Sequence, residues 1–66
     1  MNNTYIGKKI RKDRNISRTA LAKLSGVPMR TIQNWEDGSR VARDVHQLKK
    51  VSDVLNVSIE ELFEWE

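Results

Sequence analysis

The chain has 66 residues, of which 12 are Lys or Arg and 9 are Asp or Glu, and its net charge is +3. This length predicts a single domain, residues 1–66, with a small core. The chain has no cysteine and a single histidine, His46, which excludes disulfides and argues against a zinc site. We expect no cofactor and no metal. No apolar run is long enough to span a membrane and no signal-peptide pattern is present, so we expect a cytoplasmic protein.

The basic residues are concentrated in the first half of the chain. Residues 1–35 contain eight Lys or Arg and one Asp, whereas residues 36–66 contain four Lys or Arg and eight Asp or Glu. We therefore expect one cationic and one anionic end, a distribution that attracts a polyanion and orients it.

The chain is expected to open with a disordered start, residues 1–3, followed by a helix over about 4–14. Ile6 and Ile10 share the inward face of this helix. Gly7 is expected to weaken it by about 1 kcal/mol relative to alanine.

Two short helices joined by a tight turn are predicted next, over about 17–25 and 28–37. Ser17 suits the N-cap of the first helix, and Gly26 tolerates the positive φ of a turn. Helices joined by so short a turn cross steeply. The apolar residues of the two helices fall on one stripe each and are expected to face the core: Leu21, Ala22, Leu24, Ile32 and Trp35.

The outward face of the second of these helices carries side chains that suit base recognition: Met29, Arg30, Gln33 and Asn34. Arginine forms paired hydrogen bonds with guanine, Asn or Gln forms them with adenine, and methionine can contact a thymine methyl group. An ordinary polar helix face can have the same residue types. Together with the steep crossing, however, these residues indicate a helix-turn-helix that reads DNA.

Two capping signals predict the remaining helices. Asp44 opens an Asp-x-x-Gln pattern before a helix over about 44–55, and Ser58 opens a Ser-x-x-Glu pattern before a fifth helix over about 58–64. No pattern in the chain indicates a β-strand. The expected fold is therefore all-α, with five helices.

A set of short motifs extends over about residues 6–63: Leu21-Ala22, Gly26-Val27, Thr31-Ile32, Trp35-Glu36, Gly38, Leu48-Lys49-Lys50-Val51, Leu55-Asn56-Val57-Ser58 and Glu61-Leu62. Together they resemble the lambda repressor and Cro-like helix-turn-helix family, also called the xenobiotic response element family. The resemblance implies a five-helix DNA-binding domain of a phage or bacterial transcriptional repressor. It implies that a homodimer binds a palindromic operator in double-stranded DNA, with the third helix in the major groove.

The resemblance also implies roles for further residues. In this family an arginine of the first helix pairs with the acid at the position of Glu36, which implies an ion pair between Arg11 and Glu36. Many members contact phosphate with a glutamine at the position of Arg18, and an arginine keeps that contact. Pro28 departs from the serine or threonine cap that many members have there. By their positions at a helix start, on the recognition helix and in the loop after it, four more residues are expected to contact phosphate: Thr19, Thr31, Arg40 and Arg43. A place at the rim is the alternative for Thr31, and a narrow minor groove or a solvated loop charge is the alternative for the two arginines.

The dimer contact is expected near the C-terminus. Val57, Phe63 and Trp65 exceed the apolar residues that a short fifth helix needs, although core packing and a frayed end are alternatives. Two other functions stay open, a DNA-binding antitoxin with a partner toxin and a protein–protein adaptor on the same fold. We expect no enzyme, because no nucleophile has a base at a suitable spacing, and no small-molecule ligand.

Overall fold

The computed structural model describes residues 3–65, with the side chains of residues 4–64, and this part of the chain forms four α-helices and a two-stranded sheet. In chain order the elements are β1 (Asn3–Tyr5), α1 (Gly7–Asp13), α2 (Arg18–Ser25), α3 (Met29–Asp37), α4 (Val45–Leu55), a 3₁₀ turn (Glu60–Leu62) and β2 (Phe63–Trp65). The mostly helical fold agrees with the expected class, but one expected helix is missing from the described residues. None of the helices within residues 3–65 has the length and apolar character that crossing a membrane requires.

Helices α2 and α3 begin and end at the residues that the sequence indicated. The hydroxyl of Ser17 accepts a hydrogen bond from the Ala20 amide at 3.0 Å and caps α2. Gly26 ends α2 with φ 76° and Gly38 ends α3 with φ 80°, a left-handed conformation that favours glycine. Pro28 precedes α3 with φ −55° and no side-chain capping bond.

The buried apolar side chains of α2, α3, α4 and the connecting segments form one core: Leu21, Val27, Ile32, Trp35, Ala42, Leu48, Val51, Leu55 and Leu62. The expectation that Leu24 faces this core is wrong, because its side chain is 67% exposed. Ser25 is buried instead, and its hydroxyl accepts a hydrogen bond from the Val27 amide at 3.2 Å. The turn thus supplies the polar partner that a buried hydroxyl requires.

Helix α4 confirms the helix predicted over about 44–55. The carboxylate of Asp44 accepts hydrogen bonds from the amides of His46 and Gln47, at 3.0 and 3.2 Å. Asn56 ends the helix in the left-handed conformation, with φ 59°. Both ends of α4 are therefore set by local contacts.

The two ends of the chain pair in a sheet that the sequence pattern did not predict. Strand β1 runs antiparallel to β2, and the Ile6 amide donates a hydrogen bond to the Leu62 carbonyl at 2.7 Å. Of the expected disordered start, Asn3 takes part in β1, and residues 1–2 lie outside the described residues. The sheet joins segments from opposite ends of the chain.

The two strands replace parts of two expected helices. The helix expected over about 4–14 begins only at Gly7, because the preceding residues pair in β1. The fifth helix expected over about 58–64 is wrong. Its capping box does form, since the Ser58 amide donates to Glu61 Oε1 at 3.0 Å and the Glu61 amide donates to the Ser58 hydroxyl at 3.2 Å. The box opens a single 3₁₀ turn, after which the backbone extends to pair with β1.

The aromatic ring of Tyr5 connects this sheet to the core. It packs edge-to-face against Trp35 and Phe63, with both centroid distances at 5.7 Å. Its outer edge occupies the space where a Cβ on Gly7 would lie. Burial raises the pKa of the Tyr5 hydroxyl, and the negative charge of Glu36 adds to the rise. Gly7, which we expected only to weaken a helix, provides the space for this ring.

Pairing of the two chain ends also brings Glu61 near Arg14, the residue that follows helix α1. The pKa of Glu61 lies below its ordinary value, mainly because of the hydrogen bond from the Ser58 amide, and the positive charge of Arg14 adds to the effect. Glu61 of the acidic half therefore lies near Arg14 of the basic half.

Candidate nucleic-acid interface

Helix α3 has two faces of different chemistry. Ile32 and Trp35 face the core, with exposed fractions of 0% and 5%. The residues predicted to read bases lie outside that stripe: Met29, Arg30 and Gln33 are exposed, and Asn34 is half-buried. Residues 29 and 33 are one helical turn apart, as are residues 30 and 34, so the four side chains form two adjacent rows.

The start of α2 contacts the start of α3. The hydroxyl of Thr19 donates a hydrogen bond to the sulfur of Met29 at 3.5 Å. Both residues are exposed. The structure thus places a residue predicted to contact phosphate next to one predicted to contact a base.

The loop after α3 brings four of the predicted residues around one open cavity of about 380 Å³: Thr31, Asn34, Arg40 and Arg43. The Arg40 amide donates a hydrogen bond to the Asn34 carbonyl at 3.3 Å, which holds the loop against α3. Arg40 and Arg43 are exposed, so their guanidinium groups are accessible beside the outward face of α3.

The carboxylate of Glu36, in the last turn of α3, is completely buried. Arg11 Nε donates to Glu36 Oε2 at 2.9 Å, and Arg11 Nη2 donates to Glu36 Oε1 at 3.2 Å. Arg11 Nη1 donates to the Ile16 carbonyl at 2.9 Å. This two-point contact ties α1 and the segment before α2 to the end of α3.

Arg18 makes a protein contact that the sequence analysis missed. Its Nε donates to Glu36 Oε1 at 3.0 Å, and its side chain is 31% exposed. No local pattern indicated this contact, because Arg18 and Glu36 lie on different helices and are 18 residues apart in the chain. Arg18 therefore belongs both to the surface and to the buried ion pair.

The predicted dimer residues do not form an exposed apolar patch in the described part of the chain. Val57 and Phe63 are half-buried and pack against the core, and Phe63 contacts the ring of Tyr5. The side chain of Trp65 lies outside the described residues. Within residues 4–64, the large apolar side chains that are exposed are instead Leu24, Met29, Val41 and Val45.

The accessible side chains around α3 include hydrogen-bonding and cationic groups beside the exposed apolar residues Met29 and Val41. Amide, hydroxyl and guanidinium groups there can bind base edges and phosphate oxygens. Among the described residues, no group of three or more His, Asp or Glu side chains is placed to hold a metal ion.

Comparison with known proteins assigns a family to this arrangement. Residues 8–62 match a family model described as Helix-turn-helix. The chain is similar to the structure of SinR, the master regulator for biofilm formation, in complex with DNA. The identity is 32% and the TM-score 0.80, covering 85% of this chain and 89% of that chain.

A second similar structure is a chain of the SinR protein/SinI protein complex, with 33% identity and a TM-score of 0.79. The match covers 86% of this chain but only 58% of that one, so this chain spans little more than half of it. No significant match to a curated protein sequence was found.

The family match extends over most of the chain and includes α2, the turn and α3, the unit that gives the family its name. The chain therefore belongs to the Cro/C1-type helix-turn-helix family of DNA-binding transcription regulators.

Proposed function

We propose that the chain recognises a specific sequence in double-stranded DNA through α3 in the major groove, and represses transcription by occupying promoter DNA. One observation carries this proposal: α3 is fixed in the core by its inward face while its outward face is polar and exposed. A rigid helix with such a face is the element that enters the major groove in helix-turn-helix proteins. The SinR structure in complex with DNA supports the proposal for a chain of this fold.

The proposed base contacts follow from the donor and acceptor groups on α3. Arg30 donates two hydrogen bonds to guanine O6 and N7, and Gln33 or Asn34 pairs with adenine N6 and N7. Met29, at the first turn of α3, contacts a thymine methyl group. These residues supply the sequence preference.

The proposed phosphate contacts lie on both sides of α3, at the start of α2, within α3 and in the loop that follows it: Arg18, Thr19, Thr31, Arg40 and Arg43. Such contacts fix the register of a protein on the duplex without reading its sequence. They also make the affinity fall with salt, because each neutralised phosphate releases counterions.

We propose that two copies bind a palindromic operator as a twofold dimer. One recognition helix reads too few base pairs for selectivity in a genome, and half-sites one helical turn, about 34 Å, apart suit a twofold pair. The C-terminal segment with Val57, Phe63 and Trp65 stays the predicted dimer contact. The part of these side chains that does not pack against the core would form it. Mass measurement of the operator complex should give two chains per site.

Selection of bound duplexes from a random pool, by the purified 66-residue chain, tests the proposed function. We expect a palindromic consensus, and a steep loss of affinity with salt on the selected duplex. Failure to enrich any sequence would contradict the proposed recognition, even if the chain bound DNA weakly and without preference.

Two substitutions separate base reading from phosphate contact. Arg30→Ala should cost about 1–3 kcal/mol on the selected duplex and relax the preference at one base pair. Arg18→Ala, its matched control, should weaken binding to selected and unselected duplexes by the same factor. An equal loss on all duplexes for Arg30→Ala would remove Arg30 from the base-reading set.

A protein partner is the second candidate, favoured by the SinR protein/SinI protein complex among the similar structures. Affinity purification of the chain from its own cells, with and without nuclease, tests it. A stoichiometric protein that is retained after nuclease treatment would support a regulator controlled by a protein partner, including an antitoxin. Retention of nucleic acid alone would support a DNA-binding regulator that acts without a protein partner.

A further inference from the structure

Two arginines share the single carboxylate of Glu36. Arg11 engages both carboxylate oxygens, at 2.9 and 3.2 Å, and Arg18 binds one of them, Oε1, at 3.0 Å. The Glu36 side chain is 0% exposed and the Arg11 side chain 8% exposed, so this ion pair is withdrawn from solvent. One negative charge therefore holds two positive charges together.

The contact with Arg11 is sufficient to compensate the buried carboxylate. Two nitrogens of Arg11 donate to the two oxygens of the planar carboxylate, and its third nitrogen, Nη1, donates to the Ile16 carbonyl. Arg18 adds a positive charge beyond what neutralisation requires. The three side chains carry a net charge of one, and the member with the accessible surface is Arg18, at 31% exposed.

The guanidinium group of Arg18 has one nitrogen bound to the buried carboxylate, while its side chain is partly exposed. The inner nitrogen, Nε, donates to Glu36. A guanidinium group has five N–H donors in a rigid plane, so fixing Nε also fixes the directions of the two terminal nitrogens. A lysine at this position would provide charge without that fixed plane.

We propose that Glu36 is a positioning residue for DNA binding, which holds Arg18 so that its terminal nitrogens meet a backbone phosphate at a fixed distance from α3. The inference rests on the proposed function and deepens it. Because Glu36 belongs to α3 and Arg18 to α2, their bond links the phosphate contact directly to the recognition helix. The phosphate contact thereby fixes the position of α3 relative to the DNA backbone on every duplex, selected or not.

The proposal opposes the simple electrostatic expectation for Glu36. A carboxylate near DNA repels phosphate, and Glu36 borders the same cavity as Lys8, Lys9 and Lys12. If charge alone mattered, removal of the Glu36 carboxylate should therefore strengthen DNA binding. The two-point contact with Arg11 already neutralises this charge, which leaves little repulsion to relieve. Orientation should therefore outweigh charge, and the neutral variant should bind DNA more weakly.

Substitutions at Arg18 give the first test, measured as affinity against salt on the selected duplex. Arg18→Ala should lower the magnitude of the salt slope by about 0.9, the value for one lost phosphate contact. Arg18→Lys should keep the slope and yet lower the affinity about fivefold, because the charge remains and the orientation is lost. Arg18→Lys with wild-type affinity would overturn the proposal. Lys49→Ala, which removes an exposed cation of α4, is the matched charge control and should leave the slope unchanged.

A double-mutant cycle between Glu36→Gln and Arg18→Ala gives the second test, at a temperature where circular dichroism shows every variant folded. We expect Glu36→Gln to weaken binding, and Arg18→Ala to cost about tenfold alone but about twofold or less beside Glu36→Gln. Stronger binding by Glu36→Gln, or additive losses, would overturn the proposal. If Glu36→Gln does not fold at any usable temperature, the Arg18→Lys result decides. If the wild-type chain showed no preference among duplexes, this result would instead contradict the proposed function.

Discussion

Helices α2 and α3 are bounded by contacts within a few residues, whereas the terminal sheet joins residues from opposite ends of the chain. Ser17 caps α2 through the amide three residues later, and glycines end both helices. Tyr5, in contrast, lies opposite Phe63 in the sheet, and its ring fills the space above Gly7. The first region can form from local preference, but the second requires the chain to close on itself.

The two regions also differ in their expected roles, one in contacting DNA and the other in holding the DNA-contacting helices in place. The residues proposed to touch DNA lie on α2, α3 and the following loop, and the long-range contacts hold those elements from behind. Arg11 crosses from α1 to the end of α3, and Tyr5 packs against Trp35 on the inner face of α3. The terminal region should therefore influence stability more than base preference, and substitutions can test this division.

The largest expected effect comes from breaking the link between α1 and α3. Arg11→Met removes both bonds to Glu36 and leaves its buried carboxylate with Arg18 alone. Arg18 still balances the charge of Glu36, but through a single hydrogen bond, and the two bonds from Arg11 to the carboxylate are lost. Hydrogen bonds to charged groups contribute about 1.5 kcal/mol or more each, so the free energy of unfolding measured in urea should fall by about 3 kcal/mol.

The matched control is an ion pair on the surface. Lys49 and Asp53 are 3.0 Å apart on α4, but their side chains are 65% and 60% exposed. Lys49→Met should therefore change the free energy of unfolding by only about 0.5 kcal/mol. Similar losses for Arg11→Met and Lys49→Met would mean that the buried contact adds no more than a surface pair.

The next largest effect should follow from filling the space above α1. Helix propensity favours Ala over Gly by about 1 kcal/mol, so Gly7→Ala would stabilise an isolated helix. Here the added Cβ overlaps the ring of Tyr5, which is held by Trp35 and Phe63 and has little room to move. We expect the cost of overpacking to exceed the gain in helix propensity, so the free energy of unfolding should fall by about 2 kcal/mol.

A double variant shows whether the ring causes this loss. In a Tyr5→Ala background the added methyl group meets no ring, so Gly7→Ala should cost far less there and can even stabilise. Chemical denaturation of the four chains gives the coupling. Stabilisation by Gly7→Ala in the wild-type background would show that the sheet is too loosely packed to constrain α1.

The same contrast explains what could be predicted from the sequence. Ser17, Gly26 and Asp44 each act on neighbours a few residues away, so their types alone indicated where helices begin or end. The outward position of Arg30 and Gln33 followed from the helical period once Ile32 and Trp35 were assigned to the core. The fold class could be predicted from these local signals, and the family from the resemblance of the motifs spread over about residues 6–63.

The errors arise where a distant partner decides the conformation. A three-residue strand has no recognisable period, so Phe63 gave no sign that it would pair with β1. The Ser58 capping box formed as expected, yet pairing of the next residues limited it to one turn. The error at Leu24 is an exception, because its cause is local. The Val27 amide, two residues along the chain, donates to the buried hydroxyl of Ser25, and periodicity alone placed Leu24 inward.

Two serine caps should differ in their effect because they open elements of different length. Ser17 caps the eight residues of α2, so Ser17→Ala should lower the free energy of unfolding by about 1 kcal/mol. Ser58 opens only the three-residue 3₁₀ turn, so Ser58→Ala should cost about 0.5 kcal/mol or less. Thermal unfolding of both variants measures the difference. A larger loss for Ser58→Ala would mean that the turn, and not the strand pairing, holds the C-terminal segment.

The smallest expected effect is a pH dependence at the same turn. The pKa of Glu61 is lowered below its ordinary 4.5, chiefly by the hydrogen bond from the Ser58 amide, so its carboxylate stabilises the folded state above pH 4.5. This contribution should disappear as the pH falls through the lower folded-state value. Wild type should therefore lose slightly more stability than Glu61→Gln between about pH 7 and about pH 3 in thermal unfolding. Ser58→Ala keeps the amide donor and should retain most of this pH dependence. Parallel curves for wild type and Glu61→Gln would mean that the amide contact does not persist in solution and that the turn is held by β2 alone.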